Sequence, residues 1–242
     1  MHGRAQHPAV TAVAHRGAPY AARENTLTAF RAALAAGADA VELDVRLTRD
    51  GVPVVLHDRT LERLWGIERA VRSLTAKDLA ERTAGQAGGV PTLEAALEVT
   101  AGARTLIDFP DPAAVPAALG VVRETGAGDR VYYCGGPAAM RAVRAADPAA
   151  ELSLTWQRAA PVRDSLLEAV RPRWLNLPFG LLNRELTDRL HERGLLVSAW
   201  TADSRRTMRR LLALGADSVT TNRIGTLRAL LDDGAGRRPA GR

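Results

Sequence analysis

The chain has 242 residues, 46% of them hydrophobic and 25% charged, which is enough to bury a full core and suits one large α/β domain better than two small ones. Its net charge of +6 would suit an anionic partner. However, the basic residues are scattered over predicted helix faces and only 4% of residues are aromatic, so we expect no nucleic-acid groove. The single cysteine, Cys134, excludes an internal disulfide and a thiolate metal cluster, and we expect it to be buried.

The two ends of the chain differ in composition from its middle. The first ten residues lack the apolar run of a secretory signal, and no later segment has the uninterrupted apolar length of a membrane span, so we expect a cytoplasmic enzyme. We expect residues 1–9 to be flexible and residues 233–242, rich in Gly, Arg and Pro, to be disordered. This leaves residues 10–232 as one predicted domain.

Eight short apolar runs alternate with longer stretches of helical period, which is the pattern of a parallel sheet covered by helices. The predicted strands are residues 10–14, 40–46, 105–109, 130–134, 151–155, 174–177, 196–200 and 218–221. The predicted helices are residues 26–36, 93–100, 113–125, 138–146, 162–170, 184–192, 205–214 and 225–231. Eight strand–helix units in this length predict an α/β fold, the (β/α)8 TIM barrel.

Residues that favour helix ends support these boundaries. The glycines placed where a helix should end in a left-handed residue are Gly37, Gly126, Gly194 and Gly215. The predicted N-caps are Asn25, Thr92, Asp164 and Asp203.

One segment, about residues 47–91, interrupts the alternation after the second strand. Residues 48–51 have the composition of a tight turn and residues 52–56 are again extended, which predicts a hairpin that returns His57 to the barrel mouth. Residues 59–91 then form a long excursion, in which Leu74, Thr75 and Asp78 suggest a short capped helix. Long insertions on this face of a barrel are commonly lids or specificity elements.

The carboxyl ends of the strands are where a barrel of this type places its reactive groups. The candidates there are His15, Glu42, Asp44, Asp108, Trp156, Asn176, Trp200 and Asn222. Glu42 and Asp44 are two apart on one strand, so both carboxylates point to the same face. Inside a barrel they would repel each other unless a cation such as Mg²⁺ or Ca²⁺ joined them, whereas on a surface strand they would simply be solvated. Asp108 is either a third ligand or the cap of the helix that begins near Pro112.

Two imidazoles accompany these acids, His15 at the end of the first strand and His57 at the end of the hairpin. Imidazole ionises near neutral pH, so the pair could serve as general base and general acid, although a single His at a strand end is more often structural. Arg16 could hold a phosphate oxygen or pair with one of the acids. Gly17 would allow close approach of the backbone to a ligand.

Three further residues have two readings each. Glu24 could form a salt bridge behind the site, or its charge could stabilise the start of the first helix. Asn25 could have a role in the site or could cap the same helix. Trp200 could wall a pocket for an alcohol or a choline-like group, or fill the top of the barrel. The remaining residues of interest, to which we assign no role, are His2, His7 and His191.

The first quarter of the chain carries a series of motifs in fixed order. They are His15-Arg16-Gly17, Glu24-Asn25-Thr26 with Ala29-Phe30, Glu42-x-Asp44-Val45, Thr48-x-Asp50-Gly51 and Val54-x-x-His57-Asp58. Together they strongly resemble the glycerophosphodiester phosphodiesterase family. The resemblance continues more loosely through Leu74-Thr75, Pro91-Thr92-Leu93, Trp200-Thr201, Gly215-Ala216-Asp217 and Thr220-Thr221-Asn222.

The resemblance implies a TIM barrel that uses one Ca²⁺ or Mg²⁺ to hydrolyse small-molecule glycerophosphodiesters to glycerol phosphate and an alcohol. It implies that a neighbouring glycerol hydroxyl attacks phosphorus and that water then opens a cyclic phosphate. By position, the implied metal ligands are Glu42, Asp44 and Asp108, the implied acid/base pair is His15 and His57, and the implied phosphate contact is Arg16. The oligomeric state stays open.

The chain departs from the family pattern at three places. Arg23 stands where the family usually has Pro, Asp108-Phe109-Pro110 replaces Glu-x-Lys, and Thr221-Asn222 replaces Thr-Asp. The missing Lys matters most, because Pro110 cannot supply a cation to a phosphate. Two alternatives stay open. One is a lyase that stops at the cyclic phosphate, as in related phospholipase-D-like toxins of the same fold, and the other, suggested by the missing Lys, is a non-catalytic barrel that binds a phosphorylated ligand.

Overall fold

The computed structural model describes residues 10–85 and 88–234. The strands in this part of the chain are β1 (Thr11–His15), β2 (Ala40–Leu47), β3 (Pro53–Val55), β4 (Thr60–Leu61), β5 (Ile67–Ala70), β6 (Arg104–Phe109), β7 (Val131–Gly135), β8 (Leu152–Thr155), β9 (Trp174–Pro178), β10 (Leu196–Trp200) and β11 (Ser218–Thr221). Eight of them pair in parallel in the order β1, β2, β6, β7, β8, β9, β10, β11, and β11 pairs back with β1. The predicted TIM barrel is confirmed.

Helices cover the outside of this barrel. They are α1 (Leu27–Ala35), α2 (Glu62–Trp65), α3 (Ala76–Thr83), α4 (Leu93–Val99), α5 (Val115–Glu124), α6 (Pro137–Ala146), α7 (Asp164–Val170), α8 (Arg184–Glu192), α9 (Arg205–Leu214) and α10 (Ile224–Asp232). The predicted strand ends lie within one residue of the observed ends. The expectations for residues 1–9 and for most of the C-terminal tail fall on residues outside the described ones. No helix in the described ranges is both long and apolar enough to cross a bilayer.

Three of the four predicted N-caps are wrong by one residue. Thr92 caps α4 as predicted, but α1, α7 and α9 are preceded by Thr26, Arg163 and Ser204. An N-cap needs extended backbone, whereas Asn25 has a left-handed φ of 56°, so Thr26 accepts the hydrogen bond from Ala29 instead.

The other two acids have different positions from those predicted. Asp164 lies inside the first turn of α7, where a negative charge interacts favourably with the helix dipole. Asp203 precedes Ser204, whose hydroxyl accepts the capping hydrogen bond from Thr207. The four glycines predicted to end helices all have positive φ, between 64° and 93°.

The barrel has apolar packing on both sides of its wall. On the outer side, alternate strand residues such as Val41 and Leu43 pack with the helices in the main core. On the inner side, a small buried cluster fills the barrel, formed by Val13, Ala40, Leu106, Tyr132 and Cys134. Glu42 and Asp44 follow Ala40 at two-residue spacing, so they project above this apolar plug rather than into the helix layer.

The insertion, residues 47–91, is built on an extension of β2. Beyond Asp44, this strand pairs antiparallel with β3, and Thr48 accepts and donates hydrogen bonds across the tight turn between them, as predicted. The predicted capped helix is α3, with Thr75 and Asp78 forming a reciprocal capping box. The sequence did not predict α2 or the β4–β5 pair. The insertion has its own buried cluster, formed by Val54, Leu56, Leu61, Trp65, Val71, Leu74, Leu79 and Val90.

Candidate active site

A cavity of about 280 Å³ opens at the carboxyl ends of the barrel strands. Its lining residues are His15, Arg16, Glu42, Asp44, His57, Leu106, Asp108, Phe109, Pro110, Cys134, Gly135, Gly136, Thr155, Gln157, Asn176, Trp200 and Thr220. Both predicted imidazoles, the predicted carboxylates, Arg16 and Trp200 therefore lie around one space. Of the other strand-end candidates, Trp156 lies outside the lining, with its Nε1 donating to Ala160, and Asn222 lies behind His15.

Three carboxylates meet at the base of this cavity. Oxygen atoms of Glu42, Asp44 and Asp108 lie within 4.8 Å of one another, because Asp44 on β2 is in register with Asp108 on β6. Burial, followed by the charges of Asp44 and Asp108, raises the pKa of Glu42 well above its ordinary value. Burial and the charge of Asp44 raise the pKa of Asp108 to about 7.

The alternative reading of Asp108 as a helix cap is wrong. Asp111 accepts the hydrogen bond from the Ala113 amide at 3.0 Å and so caps the turn at Pro112. Asp108 instead accepts a hydrogen bond from the buried thiol of Cys134, with Sγ 3.2 Å from Oδ1. Its carboxylate thus faces the other two acids across the barrel interior.

These residues fit a divalent cation. Arg16 is the only lysine or arginine among the described residues that line the cavity, so one positive charge stands against three carboxylates. Two negative charges remain to be balanced in a buried space, where unpaired ions are costly. Carboxylate oxygens are the ligands that Mg²⁺ and Ca²⁺ prefer.

The turn after β1 aims Arg16 at these acids. Arg16 and Gly17 both have left-handed backbone, with φ of 57° and 87°. This directs the Arg16 amide to Glu42 Oε2 at 2.9 Å and places its Nη1 2.9 Å from Glu24 Oε1. Its Nε lies 3.1 Å from Asp44 Oδ2 but makes no hydrogen bond with good geometry.

Asn25 closes this turn against a predicted metal ligand. The backbone amide of Asn25 donates to the backbone carbonyl of Arg16 at 2.9 Å, and its side-chain Nδ2 donates to Asp44 Oδ2 at 2.8 Å. The reading of Asn25 as a helix cap is therefore wrong, and the residue contacts the carboxylate cluster instead.

His15 is held from behind by an amide. Its Nδ1 lies 2.8 Å from Asn222 Oδ1. An amide oxygen only accepts, so Nδ1 carries the proton and Nε2 keeps a free lone pair. Burial, followed by the positive charge of Arg16, lowers the pKa of His15, which favours the neutral ring.

His57 is held by a carboxylate. Its Nδ1 lies 2.8 Å from Asp58 Oδ1, and the Asp58 carboxylate also accepts from Arg63 Nε at 2.6 Å. Arg63 reaches back to Glu24 through two hydrogen bonds of 2.6 and 3.1 Å. Arg46 Nε donates to the backbone oxygen of His57 at 2.6 Å.

The sequence did not mark Arg63 as a residue of the site, and it gave Asn176 no specific role. Arg63 lies 39 residues from Glu24 in the sequence, and nothing in the local pattern marks it among many arginines. Asn176 was only a strand-end candidate. Its Oδ1 and the Trp200 Nε1 are buried without a hydrogen-bond partner in the described part of the chain, and both residues line the cavity.

A scan of protein families places these motifs in one group. The model of the glycerophosphoryl diester phosphodiesterase family matches residues 15–226. The chain belongs to this family. A glycerophosphodiester phosphodiesterase of Caldanaerobacter subterraneus is 28% identical over 92% of this chain and 98% of its own length.

Solved structures agree with this placement. A glycerophosphodiester phosphodiesterase from Agrobacterium tumefaciens is 26% identical with a TM-score of 0.77, covering 92% of this chain and 99% of that one. A phosphodiesterase from Oleispira antarctica, solved with the product sn-glycerol-3-phosphate, shares the fold with a TM-score of 0.85 at 21% identity, covering 93% of this chain and 97% of that one. In this member of the glycerophosphoryl diester phosphodiesterase family, Pro110 lines the cavity and Asn222 contacts His15.

Proposed function

We propose that this chain hydrolyses glycerophosphodiesters to glycerol 3-phosphate and a free alcohol with the help of one divalent cation. The observation that carries the proposal is that two imidazoles, each held at Nδ1, line the same cavity as three clustered carboxylates. The family and the names of the curated relatives supply the substrate class.

Glu42, Asp44 and Asp108 would hold the cation, with Mg²⁺ or Ca²⁺ as the metals that suit their oxygen ligands. When bound, the cation supplies positive charge that stabilises the negative charge developing on the phosphoryl oxygens. Arg16 supplies the permanent charge from the protein, because Pro110 stands where the family has its Lys.

The different surroundings of the two histidines support different roles for them. His15 has a neutral amide partner, is largely buried and lies beside a guanidinium, so it stays neutral and acts as the base. The Asp58 carboxylate holds the His57 ring at Nδ1, which leaves Nε2 to give a proton to the departing alcohol, so His57 takes the role of the acid.

The reaction then proceeds in two balanced steps. A glycerol hydroxyl next to the ester attacks phosphorus and gives its proton to His15 Nε2, while the bond from phosphorus to the alcohol breaks and the leaving oxygen takes a proton from His57. This forms a cyclic phosphate. Water then attacks phosphorus and gives its proton to His57, while the ring oxygen takes the proton from His15 and glycerol phosphate is released.

Trp200 and Asn176 would contact the hydroxyl-bearing part of the substrate. Trp200 Nε1 is a buried donor and Asn176 Oδ1 a buried acceptor, both without partners in the described residues. A polyol offers hydroxyls that satisfy both, which removes the cost of leaving them unpaired.

The test is release of glycerol phosphate from glycerophosphocholine with Mg²⁺ or Ca²⁺, followed by phosphorus NMR. We expect turnover that chelation abolishes and that His15→Ala strongly reduces. A cyclic phosphate that persists as the final product would favour the lyase. Retained metal binding with no turnover on any glycerophosphodiester would favour the non-catalytic barrel.

A further inference from the structure

We propose that Asp203 is a positioning residue for His15, acting through the side-chain amide of Asn222. The inference rests on the proposed role of His15 as the base. Asp203 lies in the loop after β10 and Asn222 follows β11, so the two come from neighbouring strand ends on the same face of the barrel.

One carboxylate organises this corner through three hydrogen bonds. Asp203 Oδ1 accepts from the backbone amide of Asn222 at 2.8 Å and from the Thr221 hydroxyl at 3.1 Å. Asp203 Oδ2 accepts from Asn222 Nδ2 at 2.8 Å. With its Nδ2 committed to Asp203, the Asn222 amide presents Oδ1 to His15 Nδ1, at 2.8 Å.

The orientation of this amide decides which nitrogen of His15 carries the proton. An asparagine side chain has nearly the same shape after a half-turn, but the turn exchanges its donor and acceptor. A turned Asn222 would offer Nδ2 to His15, so Nδ1 would have to accept and the proton would move to Nε2. Nε2 is the nitrogen left for the cavity, and without its lone pair it cannot take a proton from substrate.

Asp203 makes that turn unfavourable because an ionised carboxylate only accepts. The turned amide would place Asn222 Oδ1 against Asp203 Oδ2, two oxygens with no hydrogen between them. Ser204 already caps α9, so capping does not account for the contacts of Asp203. A carboxylate bonded directly to His15 would both orient the ring and stabilise its charged form. With Asn222 between them, Asp203 orients the ring without contacting it.

The same geometry predicts an unusual response to an isosteric change. In Asp203→Asn, the new side-chain oxygen can still accept from the Asn222 backbone amide, but its NH2 group then faces the Asn222 side chain. That favours the turned amide and the wrong tautomer of His15. Adding Asn222→Asp restores an acceptor for both His15 Nδ1 and the amide at position 203.

We would measure kcat and KM on glycerophosphocholine and the ¹⁵N imidazole shifts of His15, assigned by their loss in His15→Gln. For Asp203→Asn we expect kcat to fall about 10–100-fold at a nearly unchanged KM, with the proton moving from Nδ1 to Nε2. The Asp203→Asn, Asn222→Asp pair should return the proton to Nδ1 and recover kcat to within about fivefold, with the pH profile moved to higher pH because a carboxylate bonded directly to His15 favours its charged form. Thr221→Val is the matched control, since it removes one hydrogen bond to the same carboxylate and should leave the tautomer unchanged.

A merely structural role for Asp203 predicts another pattern. Asp203→Asn would then keep the wild-type tautomer, whatever its effect on kcat, and the paired change would give no recovery; either result overturns the proposal. The NMR measurement needs no turnover, so it decides the role of Asp203 even if the wild-type protein hydrolyses no glycerophosphodiester.

Discussion

The two histidines of the cavity are supported by different parts of the molecule. His15 ends a barrel strand and contacts a neutral amide, whereas His57 ends the hairpin of the insertion, has a side chain that is 42% exposed and contacts a carboxylate. The proposed base must keep a lone pair, and the proposed acid must carry a proton within reach of the departing group. The barrel and the insertion thus give the two imidazoles different surroundings, which is the basis of the different roles proposed for them.

The largest expected effect is a loss of kcat when either histidine is removed. The two histidines should differ in how that loss depends on the leaving group of the substrate. His15→Ala should lower kcat about 10³-fold on glycerophosphocholine and on a p-nitrophenyl glycerophosphodiester, because both reactions need the attacking hydroxyl deprotonated. Measured as release of the alcohol, which belongs to the first step, His57→Ala should cause a similar loss on glycerophosphocholine but less than about a tenfold loss on the nitrophenyl ester, whose phenolate departs without a proton. Initial rates with the two substrates decide this, and equal losses for both variants on both substrates would contradict the assignment.

The next effect concerns the rigidity of the turn after β1. It compares Gly17 in that turn with Gly51 in the insertion. A Cβ on Gly17 would lie 2.7 Å from the backbone carbon of Ala29, while a Cβ on Gly51 meets nothing within 4 Å. Both glycines have positive φ, so Gly51→Ala is the control for backbone strain alone. We expect urea unfolding to show a loss of about 3 kcal/mol for Gly17→Ala and about 1 kcal/mol for Gly51→Ala. Equal losses would mean that the turn at Arg16 tolerates displacement.

A third effect tests the carboxylates of the barrel. The folded-state pKa of Asp108, raised to about 7, exceeds its unfolded value, so the metal-free folded protein binds more protons and loses stability as the pH rises towards 7. Asp108→Asn removes that ionisation, and without metal we expect its melting temperature at pH 8 to exceed that of the wild type by about 4 °C or more. In saturating Ca²⁺ the order should reverse. A metal-free variant less stable than wild type at pH 8 would refute the argument.

The smallest effect concerns the insertion. Arg63 joins Asp58 to Glu24, so Arg63→Met should loosen His57 and lower kcat on glycerophosphocholine about tenfold, with little change on the nitrophenyl ester. Arg59→Met, at another exposed arginine of the same insertion, should stay within about twofold on both substrates. A loss that is equal on both substrates would show that Arg63 supports the whole cavity rather than the acid.

The barrel was predictable because each strand–helix unit is encoded locally. The helix caps were harder to predict from the sequence. Asn25 and Thr26 are adjacent and both residue types suit an N-cap. Thr26 is the cap because Asn25 instead contacts Asp44, a contact made across the fold. The short elements α2, β4 and β5 have no period of their own. They are positioned by packing around the buried cluster of the insertion.

The predicted residues of the site could be placed together for the same local reasons. Glu42 and Asp44 share a face by strand alternation, and His15 and Asp108 end strands that meet at one rim. The residues that orient them could not be foreseen in this way. Asp203 reaches Asn222 over 19 positions and Arg63 reaches Glu24 over 39, and only the folded chain brings those pairs together.

The antiparallel extension of β2 has a consequence for recombination among relatives. His57, Asp58 and Arg63 all lie within residues 47–91, while His15 and the three clustered carboxylates belong to the barrel strands. A chimera that grafts this one continuous segment would transfer His57 together with Asp58 and Arg63, the side chains that hold it. The side-chain junctions that would have to match the recipient include Arg46 with the backbone of residue 57, Glu24 with Arg63, Asp111 with Arg72 and Arg23 with the Trp65 ring.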